Sequence, residues 1–313
     1  MKKRLFIALA VGTVLVSSCD KVELPNIGSV DTNTSCDTVF SFSTPTQSNR
    51  NVLVEDFTGH LCGNCPGAAY ELELLHDIYG DTLIVMGLHP NTSFNVPQTG
   101  SGKYETDWRY EEAEQVMAEF AIPSSLPRLM INRTESTPPF FFFNANQLAS
   151  AVPAVMGQAA DFSIKLSGST LADRTVCAKV EVELLNTMSG SYSVVSCLVE
   201  DSITDYQTCY AGQHPDYTGA GDDTYSNYTH RHVMRDVFGH YGIVEDAGAT
   251  PLTGSIWGDP ITGTTVAGDI KQFVISSTPM DAAWDETHMY IVSFVYDDAT
   301  KEVLQVVQTK VAP

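Results

Sequence analysis

The apolar positions change period along the chain, and the changes mark out its elements. Asn51–Phe57 (NVLVEDF) reads as a strand, rich in β-branched and aromatic residues. From Pro66 to Tyr79 the apolar residues Ala69, Leu72, Leu75, Ile78 and Tyr79 recur at spacings of three and four, the period of a helix with one buried face. Glu111–Phe120 reads as a second helix, Arg128–Ile131 as a short strand, Phe140–Phe143 as a strand and Asn144–Met156 as a closing helix. Beyond Asp161 come short β-rich runs at Phe162–Leu166, Thr175–Leu185, Tyr192–Val199, Asp269–Ser276, His288–Tyr296 and Val303–Lys310. Turn signals at 186–191 and 297–301 separate several of them. Repeated short strands without long helices predict an all-β sandwich of immunoglobulin-like type. An α/β domain over 46–158 followed by a β-sandwich over 159–313 is the expected organisation.

The N-terminus has a different pattern. Lys2, Lys3 and Arg4 precede the apolar run Leu5–Val16, which ends at Ser17, Ser18 and Cys19. A basic start, about a dozen apolar residues and small residues at the cut form an export signal. The run is short of the roughly 20 residues that span a bilayer. Val16-Ser17-Ser18-Cys19 fits the box at which a bacterial lipoprotein signal is cleaved before an acylated cysteine, so residues 1–18 are expected to be removed and Cys19 to carry lipid. Several acyl chains anchor stably where one does not. Residues 19–45 are polar and read as a tether. Asp20-Lys21-Val22-Glu23 gives a weak sorting signal, and the outer membrane, facing either periplasm or exterior, is the expected location.

The formal charge of −21 counts the three cations of the signal, so the processed chain is more acidic still. That excess argues against nucleic acid and against a polybasic grip on anionic lipid. Seven cysteines fit an oxidising compartment. Cys62 and Cys65 fall between the first strand and the first helix, with Pro66 early in the helix, where a missing N–H costs little. A thiol at a helix N-terminus is favoured as thiolate, which makes Cys62 the expected attacking sulfur and Cys65, one turn on, the resolving one. The same spacing serves zinc sites, but no second CxxC or close His pair follows in this half of the chain. A structural disulfide is the remaining alternative. No cofactor or metal is expected, and GxSxG, P-loop and HExxH motifs are absent.

Val54-Glu55-Asp56-Phe57 with Cys62-Gly63-Asn64-Cys65-Pro66 resembles the first strand, active site and helix of the thioredoxin superfamily. The resemblance implies a thioredoxin-like fold over 46–158. It implies a buried acid at Asp56, with Glu55 as the competing residue, because alternation lets only one face the core side. It also implies a cis proline before the next strand, at Pro127, with Pro123 as the alternative. The sequence departs from the pattern at Gly63-Asn64 and at Leu61, where a tryptophan is usual. His60 reads as an exposed loop histidine close enough to favour a thiolate. The segment from about His89 to Ala121 exceeds the minimal fold; it either shapes the site or is a passive loop. More specifically, Glu55-Asp56-Phe57-Thr58-Gly59, the CxxCP block, Pro127 and Asn132-Arg133 are similar to the outer-membrane-protein family of twenty-eight-kilodalton type. That resemblance extends over most of the processed chain and implies a lipoprotein with a β-rich second domain.

In 175–185, Cys177 falls on the polar face, whereas Cys197 should face inward with Val195 and Val199. This argues against a Cys177–Cys197 bridge and makes Cys197–Cys209 the more favoured pairing, leaving Cys36 and Cys177 unplaced; four cysteines allow three pairings. Asp201–Tyr228 reads as a long loop holding Tyr206, Tyr210, Tyr217, Tyr225 and Tyr228. It serves either as a contact surface for a glycan or protein or as a cover packed on its own domain. His230 and His232 would share a strand face and with His240 make a minor candidate metal site; Asp222-Asp223 lacks calcium-loop spacing. The expected function is thiol–disulfide exchange with a protein or peptide partner, through Cys62, Cys65, Pro127 and Asp56, by a chain held to the membrane through Cys19. The alternative is a non-catalytic cell-surface binding or adhesion lipoprotein stapled at Cys62–Cys65.

Overall fold

The computed structural model describes residues 36–42, 46–135, 142–219, 223–243, 255–261 and 266–312. The export signal, Cys19, Asp222 and Phe140 lie outside the described residues, as does most of the tether. In chain order the elements are β1 (Val52–Phe57), α1 (Cys65–Tyr79), β2 (Leu83–Leu88), α2 (Glu111–Glu119), β3 (Arg128–Ile131), α3 (Leu148–Val155), β4 (Phe162–Thr170), β5 (Thr175–Leu184), β6 (Tyr192–Glu200), β7 (Ile203–Thr208), β8 (Thr224–His230), β9 (Val233–Val237), β10 (Gly239–Ile243), β11 (Asp259–Pro260), β12 (Ile270–Pro279), β13 (Met289–Asp297) and β14 (Val303–Lys310). Phe143, expected in a strand, makes an isolated bridge to Leu129.

β1 is buried along its whole length because both of its faces are covered. It pairs in parallel with β2 and antiparallel with β3. Leu53 and Phe57 point to one side with Met86, Leu88 and the α2 residues Ala113 and Val116. Val52 and Val54 point to the other, with Ala68, Leu72 and Leu75 of α1 and Leu148 and Val152 of α3. Burying each such aliphatic side chain stabilises the fold by about 1.5–3 kcal/mol. α1 starts at Cys65 with Pro66 in its first turn and stops at Gly80, whose φ of 55° suits a residue without a side chain.

The sheet does not end with the first half of the chain. Its order is β14-β13-β6-β9-β2-β1-β3, and β11 adds against β6. β9 bridges the halves: Gly87 of β2 pairs with Val233, and Gly87 N–H donates to His232 O at 2.7 Å. A Cβ at Gly87 would stand 3.3 Å from the Arg231 and His232 carbonyl oxygens, so glycine allows this approach. A second antiparallel sheet, β10-β12-β5-β4, lies across the β6-β13-β14 part of the first. Between them Phe162, Ile164, Val180 and Phe273 meet Val194, Leu198, Ile291 and Val295. The architecture is therefore a mixed α/β sheet with parallel strands, shared by both halves, plus separate antiparallel sheets. One sheet-on-sheet core forms where an independent sandwich is expected. The segment joining α3 to β4 spans residue 159, and the described residues belong to one compact unit from Asn33 to Pro313.

The stretch Asp201–Tyr228, expected as a long loop, forms most of the hairpin β7–β8, which runs on to His230. Its tyrosines mostly contact one another and nearby rings, as in the Tyr217–Tyr225, Tyr225–Tyr228 and Tyr104–Tyr206 pairs. The cysteine pairing also differs from the expectation. Cys36 bonds to Cys177, and Cys197 and Cys209 are reduced. Cys177 does lie on the outer face of β5, but Cys36, Phe40, Leu171 and Val274 cover it in a small satellite cluster. Among the described residues no helix is long and apolar enough to cross a membrane.

Candidate redox site

Cys62 and Cys65 form a disulfide at the start of α1. The loop before it turns tightly: Cys62 N–H donates to Gly59 O at 3.0 Å, Cys65 N–H to Cys62 O at 3.2 Å and Gly67 N–H to Asn64 O at 3.1 Å. Asn64 caps the helix through its backbone position alone. The Leu126–Pro127 peptide is cis and Pro123 has no such bond. Phe57 pairs with Arg128, so Pro127 stands one step beyond that pair, where β1 gives way to the cysteine loop. Cys62, Cys65 and Leu126 belong to one buried cluster.

Glu55 and Asp56 separate as alternation requires. Glu55 accepts two hydrogen bonds from Arg133, at 2.9 and 2.7 Å, with both side chains buried. Arg133 lies over the rings of Phe294, Tyr296, Phe120 and Trp257, so the pair is walled by aromatic faces. Asn132 and Arg133 both have left-handed backbone. Asn132 uses its side chain to accept Leu53 N–H and its carbonyl to accept Val303 N–H, each at 2.8 Å, which ties β3 to β1 and β14. Asp56 faces the other way. Its Oδ1 has no hydrogen-bond partner among the described residues, and burial pushes its carboxyl up to about 7. It lines a cavity of about 440 Å³ between α1 and the β8–β9 turn, together with His89, Glu73, Asp201 and His232.

His60, read as exposed, is fully buried: it stands edge-on to Tyr104, and burial lowers its pKa. It is therefore a packed neutral ring whose Nδ1 has no partner among the described residues, not an exposed cation beside Cys62. His89 has no partner for either ring nitrogen among the described residues, and burial holds it well below the usual range. It stacks on Trp108, which also meets His230, lowered by burial to about 4. His230 and His232 do not share a strand face, because β8 ends at His230 and His232 has φ 54° in the turn. The His240 side chain lies outside the described positions, and among the described residues no group of three ligands stands ready for a metal.

Segment 207–213 runs along the cysteine loop, a neighbour that no sequence signal indicates. Gln207 Nε2 lies 3.1 Å from Gly59 O and 3.0 Å from Cys62 O. Cys62 is 1% and Cys65 2% exposed. In the sequence Tyr210 is one of several loop tyrosines, and nothing in the local pattern points Gln207 at the motif.

Fold and site together define a mixed α/β protein bearing a cysteine pair at a helix N-terminus. The chain belongs to the outer membrane protein Omp28 family, whose family model matches residues 114–313. That match takes in Pro127 and Asn132-Arg133 and begins after the cysteine pair. Among solved structures the chain is similar to HBP35 of Porphyromonas gingivalis, at 16% identity and a TM-score of 0.52 over 85% of this chain and 77% of that one. This is a likeness of fold alone. A domain of the outer membrane lipoprotein Omp28 from Porphyromonas gingivalis matches at 20% identity and a TM-score of 0.28, over 49% of this chain and 90% of that one. Comparison with curated protein sequences finds no match.

Proposed function

We propose that the chain is a lipid-anchored outer-membrane protein with a thioredoxin-like first half that carries out thiol–disulfide exchange on protein disulfides. The observation carrying this reading is the constellation itself: a Cys62–Cys65 bond at the N-terminus of α1, the cis Leu126–Pro127 peptide at the adjoining strand end, and a buried acid on β1. In the reduced pair, Cys62 thiolate attacks one sulfur of a partner disulfide. A Cys62–partner bond forms and the partner's other sulfur leaves as thiolate. Cys65 then gives up its proton and displaces the partner from Cys62, so the pair ends oxidised and the partner reduced. Asp56, the buried acid of β1 with its carboxyl pushed up to about 7, is assigned as the acceptor of that proton. Pro127 flanks the partner's backbone. Exchange needs no cofactor.

Cys19 supplies the membrane attachment through its lipid, and the acidic net charge argues against a nucleic-acid partner. With Cys65→Ser the second displacement is blocked, so Cys62 is expected to accumulate as a mixed disulfide with partner proteins in cells. No trapped species in that variant would remove the main support of the exchange reading.

The near-complete burial of both sulfurs favours a second reading. In it Cys62–Cys65 is a fixed staple, the second half is an immunoglobulin-like sandwich, and the hairpin around Asp201–Tyr228 contacts a glycan or protein at the cell surface. That reading expects Cys62→Ser with Cys65→Ser to change stability and leave binding intact.

A further inference from the structure

The contacts that 207–213 makes along the cysteine loop follow the pattern of backbone recognition. Thr208 N–H donates to His60 O at 2.7 Å and Tyr210 N–H donates to Gly63 O at 2.9 Å. Alternate N–H groups of one extended stretch thus face the motif loop, one meeting it before Cys62 and one after. Cys209 stands between those two donors as a buried, reduced thiol, with its own N–H turned away to Asp223 O at 2.8 Å. The Gln207 amide adds its contacts to the Gly59 and Cys62 carbonyls. The Tyr210 ring lies so close to Gly63 that a Cβ there would stand 2.5 Å from it, while Tyr210 as a residue is 48% exposed. Glycine at 67 likewise makes room for Gln213. The segment is a strap between two neighbours: the motif loop on one edge, and β8 on the other, where Gln207 pairs with Tyr225 and Thr208 with Thr224.

We propose that this strap stands in for the partner. The groove along residues 59–67 binds an extended peptide through the His60 and Gly63 carbonyls, with a cysteine placed as Cys209 is. The chain's own 207–213, held on its other edge by β8, lifts off the motif loop before an outside peptide enters. This deepens the exchange reading and rests on it: the substrate is an extended polypeptide segment, admitted when the strap opens.

The test uses the full oxidised chain with excess dithiothreitol, quenched by alkylation, with Cys62 and Cys65 followed by mass spectrometry at rising urea. Wild type is expected to react with a urea dependence far shallower than that of global unfolding, because lifting one segment exposes little surface. Gln207→Ala with Tyr210→Ala removes the amide contacts and the ring and is expected to speed reduction roughly tenfold. Tyr210→Phe keeps the ring and should leave the rate unchanged. A wild-type rate that tracks global unfolding, or equal rates in wild type and the alanine pair, overturns the strap; the first needs no variant to fold. For the groove, a synthetic peptide of residues 205–211, its cysteine activated with thionitrobenzoate, is added to Cys65→Ser chain carrying the alanine pair. Faster release of thionitrobenzoate than from a scrambled peptide is expected, and equal rates overturn the groove. Dithiothreitol and thionitrobenzoate report access whether or not cells supply a partner, so this result and the trapping result fail separately.

Discussion

Asp56 and Glu55 are adjacent in sequence, and the pleat of β1 sends them to opposite environments. Glu55 has a buried guanidinium to meet; Asp56 has a cavity and an unpartnered oxygen. The sequence alone leaves both open as the buried acid, because the partner that claims Glu55 is Arg133, 78 residues on. Asp56 also makes stability depend on pH. Its folded pKa of about 7 lies above the unfolded value of about 3.9. Between those values the folded chain binds the extra proton, so stability falls as pH rises from about 4 to 7. The difference corresponds to about 4 kcal/mol at most. Asp56→Asn is therefore expected to be more stable than wild type at pH 8, by a few kcal/mol, and nearly equal to it near pH 4. Urea unfolding of both proteins at the two pH values checks this; a gain of the same size at both would contradict it. His230, depressed to about 4, works in the opposite sense, losing stability as pH falls below about 6.5. The difference between variant and wild type isolates the carboxyl.

At the scale of elements, what the sequence shows depends on how local the signal is. β1, α1, α2 and β3 are visible within a residue or two because period and caps are local properties. The helix after Asn144 is shorter than expected, Leu148–Val155, with a 3₁₀ turn over Ala145–Gln147. β7 and β8 are missed because Ile203–Thr208 and Thr224–His230 are mostly polar and only partly buried, so no apolar alternation marks them. The Cys197–Cys209 expectation fails for a similar reason. It takes face alternation as a guide to pairing, but Cys197 faces the core under α2 and Cys209 sits on the strap. Cys36, in a stretch that reads as tether, reaches the outer face of β5, and Asp37 pairs with Lys179 at 2.9 Å beside it. The bond joins residues 141 apart. Cys36→Ser with Cys177→Ser is expected to lower stability by about 2–4 kcal/mol, read by urea unfolding under non-reducing conditions. Loss of less than a few tenths would mean that the N-terminal segment is held by its other contacts alone.

For the whole molecule, the main departure from a two-domain reading is the continuous sheet. β9 fits between β2 and β6 because Gly87 lets the β8–β9 turn approach. This carries the second half of the chain onto the rim of the cysteine loop, where the strap crosses it. Family membership follows from residues 114–313, while the chemistry proposed for Cys62 and Cys65 rests on their own geometry. Those two sulfurs either exchange with a partner or staple a loop. The direct measurement is the reduction potential of the Cys62–Cys65 pair in the exported domain, by glutathione titration with alkylation and mass spectrometry. An exchanging pair is expected to give a value between about −120 and −270 mV, the range of thiol–disulfide oxidoreductases. A value well below about −300 mV would contradict exchange and mark the pair as structural.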